Sequence, residues 1–208
     1  MKKAIVFDFG QVLIDWSPYH LYRKLLPSDE AIREFLEEIK FSEFNKKLDA
    51  GYSFGKMKEE LLEKYPRQQE LVRAFFDRWM ECTGDAIEPT VEIMREVKVA
   101  GYPVYGLSNW SHETFPLLRH RYPFLPELDD YLLSGMAGVA KPDEEIFRIF
   151  LQQISRQAQD CVFIDDAQVN IDAANRLGFT GILFRSAPQL RDDLQSLGIL
   201  NGKIADPS

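Results

Sequence analysis

Residues 161–166 read Cys161-Val162-Phe163-Ile164-Asp165-Asp166, an apolar run that ends in two adjacent carboxylates. A second run, Lys3-Ala4-Ile5-Val6-Phe7-Asp8-Phe9, becomes apolar at Ala4 and delivers Asp8 in the same way. Short continuous apolar runs of this kind fit strands buried on both faces, as in parallel sheets. In an open α/β sheet, ligands collect beyond the carboxyl ends of the strands. If both runs belong to one sheet, Asp8, Asp165 and Asp166 converge on one crevice. Carboxylates that close repel one another unless a cation offsets them, which points to a hard, oxygen-seeking metal such as Mg2+. One of the carboxylates could then act as a nucleophile.

Working outward, five runs read as strands: Ala4–Phe7, Val104–Leu107, Tyr131–Ser134, Val162–Ile164 and Gly181–Phe184. Helical patterns separate the later ones. Pro89–Ala100 has Pro89 near its start and Gly101 past its end. Pro142–Ile154 places Ile146, Phe147, Phe150, Leu151 and Ile154 on one face, with Pro142 opening the helix. Ala167–Leu177 stops at Gly178, a C-terminal cap. Alternating strands and helices predict an α/β fold, a parallel sheet with right-handed crossovers. Residues 17–84 differ. They show amphipathic helical stretches broken by Pro27, Gly51, Gly55 and Pro66 and no strand, so they read as a helical insert packing as a separate small bundle. The polar tail Asn201–Ser208 reads as loose.

The 208 residues suffice for one large domain or a core with an insert, and a 45% apolar, 28% charged composition is that of a soluble globular protein. The net charge of −8 offers no overall attraction to nucleic acid or anionic membrane. An anionic substrate must therefore be held by a few local cations and backbone N–H groups. No apolar run approaches the ~20 residues that span a bilayer, and the start of the chain lacks a signal-peptide pattern, so a cytoplasmic location is expected. Cys161 reads as a small buried hydrophobe rather than a partner for the distant Cys82.

Three further motifs sit at strand ends. Ser108-Asn109 offers a hydroxyl, an amide and backbone N–H groups for phosphoryl oxygens, although an ordinary helix N-cap reads the same. Lys141, in G-M-A-G-V-A-K-P-D, is placed to meet an anion at a helix N-terminus. Asn170, within D-D-A-Q-V-N, would brace the Asp165-Asp166 pair, and N-capping accounts for one of those aspartates but not for both. Gly10, after Asp8, reads as a residue for a tight turn and close backbone approach. Trp16, with Tyr19, follows the Asp8 loop and could line a pocket, as could Trp110. His20, His112 and His120 read as ordinary polar residues.

Taken together and in order, Asp8 in F-D-F-G-Q-V, Ser108-Asn109, Lys141-Pro142 and Asp165-Asp166 resemble the four motifs of the haloacid dehalogenase (HAD) superfamily, and the resemblance covers nearly the whole chain. It implies a Rossmann-like core with strand order 5-4-1-2-3, formed by residues 1–16 and 85–208, and an inserted helical C1 cap at 17–84. The chain looks most like the subgroup containing α-D-glucose-1-phosphate phosphatase and the N-terminal phosphatase domain of soluble epoxide hydrolase, and Phe44–Gly51 more loosely matches a cap segment of that subgroup. The implied activity is a Mg2+-dependent phosphatase of a small phosphorylated metabolite, a sugar phosphate among the candidates. In that scheme Asp8 is the nucleophile, and Mg2+ lies among Asp8, the Gly10 carbonyl, Asp166 and, through water, Asp165. Lys141, Ser108 and Asn109 hold the phosphoryl oxygens.

One position departs from the pattern. HAD phosphatases usually carry a second Asp two residues after the nucleophile, as general acid and base; here it is Gly10. Loss of such a group typically costs about 10²–10⁴-fold, most for poor leaving groups. Asp15, Asp49 or a water could substitute, and the sequence does not choose among them. A 2-haloacid dehalogenase and a low-turnover binding or regulatory protein on the same scaffold are the alternatives. The dehalogenases of this family generally carry Tyr at the Gly10 position and a Ser/Asn-rich fourth motif in place of Asp165-Asp166. The expected assembly is a monomer or weak homodimer.

Overall fold

The computed structural model describes residues 2–201. The chain enters β1 (Ala4–Phe7), turns into β2 (Ile14–Trp16) and then runs through five helices. These are α1 (Pro18–Tyr22), α2 (Asp29–Glu38), α3 (Phe41–Asp49), α4 (Phe54–Lys64) and α5 (Gln69–Asp77). It returns through β3 (Thr83–Ala86), which pairs antiparallel with β2. Strands and helices then alternate: α6 (Glu88–Val99), β4 (Val104–Ser108), α7 (Phe115–Arg121), β5 (Asp130–Leu133), α8 (Ser134–Ala137), α9 (Glu144–Gln153), β6 (Cys161–Asp165), α10 (Gln168–Arg176), β7 (Thr180–Leu183) and α11 (Ala187–Ser196).

Five strands form one parallel sheet in the order β5-β4-β1-β6-β7. Counted along the chain within this sheet and read from the β7 edge, the order is 5-4-1-2-3. β1 lies at the centre, with Phe7 opposite Gly106 on one side and Ile164 on the other. Because the strands are parallel, their carboxyl ends lie along one edge, and the Asp8 N–H donates to Ile164 O at 2.9 Å. Every residue of β1 and β6 is buried, which is why both read as unbroken apolar runs.

The two faces of the sheet feed two apolar clusters. Ala4 and Val6 pack with Ile146, Phe147, Phe150 and Phe163; Ile5 and Phe7 pack on the other side with Val91, Met94 and Leu190. This second cluster continues without a break into the helices of residues 18–77, through Tyr22, Phe35, Phe44 and Phe75. Rings interlock there, with Phe41–Phe44 centroids 4.9 Å apart and Phe75–Phe76 5.2 Å apart. Each such side chain contributes about 1.5–3 kcal/mol by leaving water.

Two local expectations need correction. The insert is bounded by a strand that the sequence does not announce, because β3 begins at Thr83 and pairs with the short β2. Pro142 does not open α9: Asp143 is its N-cap, accepting from Glu145 N at 2.9 Å. In the turn after β1 the left-handed conformation falls to Gln11, at φ 57°. The tail beyond Asn201 lies outside the described residues. Cys82 and Cys161 are both buried and free, and no helix among the described residues is long and apolar enough to cross a membrane.

Candidate active site

Asp8 follows β1, Asp165 closes β6 and Asp166 comes next, so adjacent parallel strands deliver all three to one sheet edge. Between them lies the ammonium of Lys141, which arrives on the loop from α8 to α9. Its Nζ is 2.7 Å from Asp165 Oδ2 and 3.1 Å from Asp8 Oδ1, and it donates to Leu107 O at 2.8 Å. The Phe163 ring centroid lies 5.2 Å from the same nitrogen. The Lys141 side chain is fully buried, and a buried ammonium is tolerated only with partners of this kind. Burial opposes its charge, but Asp165 and Asp8 outweigh burial and hold its pKa above the ordinary lysine value.

The carboxylates respond in the opposite direction. Burial pushes the Asp8 carboxyl well above the usual range, Lys141 pulls it back, and Asp165 raises it again. Asp166 is also raised, by partial burial and then by Asp165. One ammonium does not balance three acids.

The surrounding residues fix this arrangement. Asn170 donates to both oxygens of Asp165, at 2.9 and 3.1 Å, and Ala167 N donates to Asp165 Oδ1 at 2.8 Å. Asn109 holds the Lys141 backbone reciprocally: its Nδ2 donates to Lys141 O at 2.9 Å and its Oδ1 accepts from Lys141 N at 2.8 Å. The Lys141–Pro142 peptide is cis. Asn109 is thus engaged with the loop that carries the lysine, a task that its strand-end position alone did not reveal. Ser108 is buried beside Asp8.

Oxygen atoms of Asp8, Asp165 and Asp166 all lie within 4.8 Å of one another, a set of donors suited to a hard divalent cation. Their availability differs. Both Asp165 oxygens already accept protein hydrogen bonds, whereas Asp166 is exposed. Asp8 and Asp166 are therefore the carboxylates best able to touch an ion directly, with Asp165 behind them.

A cavity of about 80 Å³ opens above Asp8. Gly10, Trp16, Ser108 and Asn109 line it, as the sequence suggested for Trp16, together with Trp110, Phe54 and Trp79. The Trp110 ring meets Trp79 and Trp16 edge-on, at 5.7 and 6.5 Å. Trp110 Nε1 is buried without a hydrogen-bond partner. A Cβ added at Gly10 would meet Trp110 at 3.9 Å, an ordinary contact, so neither space nor backbone conformation requires glycine there.

The wall opposite the sheet brings Asn45 and Asp49 from α3, of which sequence reading singled out Asp49 only as an alternative to Asp15 or a water. Asp49 Oδ2 accepts from Asn45 Nδ2 at 3.0 Å. Burial, and then the charge of Asp8, push its carboxyl up to about 8, with Lys141 opposing. Asp15 is elsewhere: it lies on β2 with Oδ1 2.9 Å from His20 Nε2.

Comparison with known proteins bears on the family and the fold. A sesquiterpene phosphatase (astK) of Aspergillus oryzae is 24% identical over 184 residues, 86% of this chain and 88% of that protein. A drimenol cyclase (drtB) of Aspergillus calidoustus is 25% identical over 201 residues; the match takes in 95% of this chain but only 37% of the cyclase. Among solved structures, a HAD family enzyme of Bacteroides thetaiotaomicron, crystallised with magnesium and inorganic phosphate, superposes with a TM-score of 0.65 at 22% identity, covering 89% of this chain and 96% of that one. The model of the haloacid dehalogenase-like hydrolases matches residues 2–178, and the chain is a hydrolase of that family.

Proposed function

We propose that this hydrolase is a Mg2+-dependent phosphatase of a small phosphorylated metabolite, with residues 1–16 and 85–208 as the catalytic core and 17–84 as a helical cap. The observation that carries this reading is the acidic cluster around Lys141: three carboxylates against one ammonium, of which Asp8 lines the cavity. The likeness to a sesquiterpene phosphatase supports it.

Asp8 supplies the attacking oxygen, and its Oδ1 is held by Phe9 N at 2.7 Å and by Lys141. Attack on phosphorus forms an aspartyl-phosphate and expels the alcohol; water then cleaves the acyl phosphate and restores the carboxylate. Lys141 and Ser108 favour the charge gathering on the transferred oxygens. Asn109 keeps the Lys141 backbone in register, and Asn170 keeps Asp165 aimed at the ammonium. Mg2+ bound by Asp8, Asp166 and the Gly10 carbonyl, with Asp165 behind them, would neutralise phosphoryl charge. The aromatic walls exclude water and contact the rest of the substrate.

Dehalogenation needs no divalent ion, and retention of Asp165-Asp166 speaks against it. The test is phosphate release from a panel of phosphomonoesters with Mg2+ and with chelator, using Asp8→Asn as control. Activity that survives chelation, or that persists in the variant, rejects the mechanism.

A further inference from the structure

The phosphatase reading leaves one task unassigned. An alkoxide leaving group needs a proton, and the residue two after Asp8 has no side chain to provide it. Resting on that reading, we propose that Asp49, from the helical segment, donates the proton to the leaving oxygen in place of the core acid.

Three observations support the assignment. First, Asp8 and Asp49 are the two ionisable side chains in the cavity wall, one on the sheet and one across from it. A phosphoryl group attacked by Asp8 in line directs its leaving oxygen away from the sheet, toward the wall that Asp49 occupies. The other protein candidate, Asp15, does not line the cavity and is engaged with His20.

Second, Asp49 is held in register with the core by contacts that cross from the helical segment. Ser134 Oγ donates to Asp49 O and accepts from Trp110 N at 2.9 Å, tying the end of α3 to the loop after Ser108. Two residues on, Gly51 (φ +94°) lies so close to the start of α8 that a Cβ there would stand 3.0 Å from Gly135 O. Gly135 in turn leaves only 2.6 Å between its own added Cβ and His112 N. This packing has no room for side chains and places the carboxyl relative to Asp8.

Third, the Asn45 bond anchors one oxygen of Asp49 while the carboxyl still faces the cavity. Burial among aromatic rings favours the protonated form that a donor requires.

The chemistry balances. The Asp8 oxygen–phosphorus bond forms as the phosphorus–leaving oxygen bond breaks. The departing electron pair takes the Asp49 proton, giving a neutral alcohol and an Asp49 carboxylate. Water that hydrolyses the aspartyl-phosphate returns a proton to Asp49.

The experiment measures pre-steady-state release of the leaving group at saturating Mg2+, for phosphomonoesters graded from 4-nitrophenyl to simple alkyl. Wild type, Asp49→Asn, and Asp49→Asn combined with Gly10→Asp are compared. The expected result is a loss of about 10²-fold or more on the alkyl esters of Asp49→Asn and about threefold or less on the aryl ester, because only the poor leaving group needs the proton. Gly10→Asp, whose Cβ fits without a clash, should restore part of the alkyl rate. Equal losses on aryl and alkyl esters, or no loss on either, would overturn the assignment while leaving the phosphatase intact. A wild-type protein that releases no leaving group from any ester in a Mg2+-dependent way would overturn both.

Discussion

Replacing Lys141 with Met removes the one cation that the described residues place between Asp8 and Asp165. The ammonium and the Asp165 side chain are fully buried, and Asp8 is nearly so. Removing one partner of a buried ion pair costs about 3–5 kcal/mol, because the partner's charge is left uncompensated. For a domain of this size, each kcal/mol shifts Tm by about 2–4 °C, so a fall of about 6–20 °C is expected at pH 8 in chelator. The sign of its pH dependence follows from linkage. Without the ammonium, which pulls it down, the folded-state Asp8 carboxyl rises further above the ordinary Asp value near 3.8. The folded variant then holds protons that the unfolded chain has released, so its stability is retained at low pH and lost as pH rises through the folded-state value. The deficit should therefore be smaller at pH 5 than at pH 8, and millimolar Mg2+ should recover part of it at pH 8. Urea denaturation followed by circular dichroism, with the m-value checked for constancy, measures this. A deficit below about 1 kcal/mol at pH 8, or one that does not change with pH, would show that no charged carboxylates face the lysine.

Asn109→Ala removes two hydrogen bonds to the Lys141 backbone and should cost about 2 kcal/mol in urea melts, with a parallel loss of turnover; a cost under about 0.5 kcal/mol means the clamp is not formed in solution. Asp166→Asn should leave stability in chelator unchanged or higher, since it relieves repulsion from Asp165, while shrinking the rise in Tm produced by Mg2+; an undiminished rise excludes Asp166 as a ligand. Gly135→Ala must displace backbone at His112 and should cost at least about 2 kcal/mol, so a Tm within about 1 °C of wild type refutes the close approach at α8. Asp49 rises from 3.8 to about 8 on folding, so metal-free stability should decline as pH climbs between those values, and Asp49→Asn should flatten that part of the profile; parallel profiles for the two proteins count against a buried, protonated Asp49.

What the sequence revealed and what it hid follow from the range of the interactions involved. β1 and β6 are legible because burial on both faces leaves no polar position to blur the run, and Asp8 and Asp165-Asp166 mark where each run ends. α6, α9 and α10 are legible to within two residues because each buries a continuous stripe. The β2–β3 ribbon is different: Thr83-Gly84-Asp85-Ala86 has no apolar rhythm, and pairing with Ile14–Trp16, almost seventy positions earlier, makes it a strand. Trp16 lines the cavity, and its nearness to Asp8 in the chain is the signal that pointed there. Asp49 could be named only beside Asp15 and a water, because in F-S-E-F-N-K-K-L-D it reads as one more charge on an amphipathic helix. Its partial burial comes from the docking of α3 on α8, and the small residues that permit this, Gly51 and Gly135, lie 84 positions apart.

Charge counting joins the proposed activity to the proposed ion. Asp8, Asp165 and Asp166 outnumber the one ammonium of Lys141, and a phosphomonoester dianion bound beside Asp8 would add about two more negative charges in a partly desolvated space. Like charges a few ångströms apart cost several kcal/mol even at an effective dielectric of 20. Protonation offers one escape, and the upward pressure on Asp8 and Asp166 shows the site leaning that way. That escape would disable the attacking oxygen, since a protonated Asp8 is a poor nucleophile. A bound dication instead lowers the cost of the substrate's charge and keeps Asp8 ionised. The same acidic excess thus makes phosphoryl transfer and cation binding interdependent.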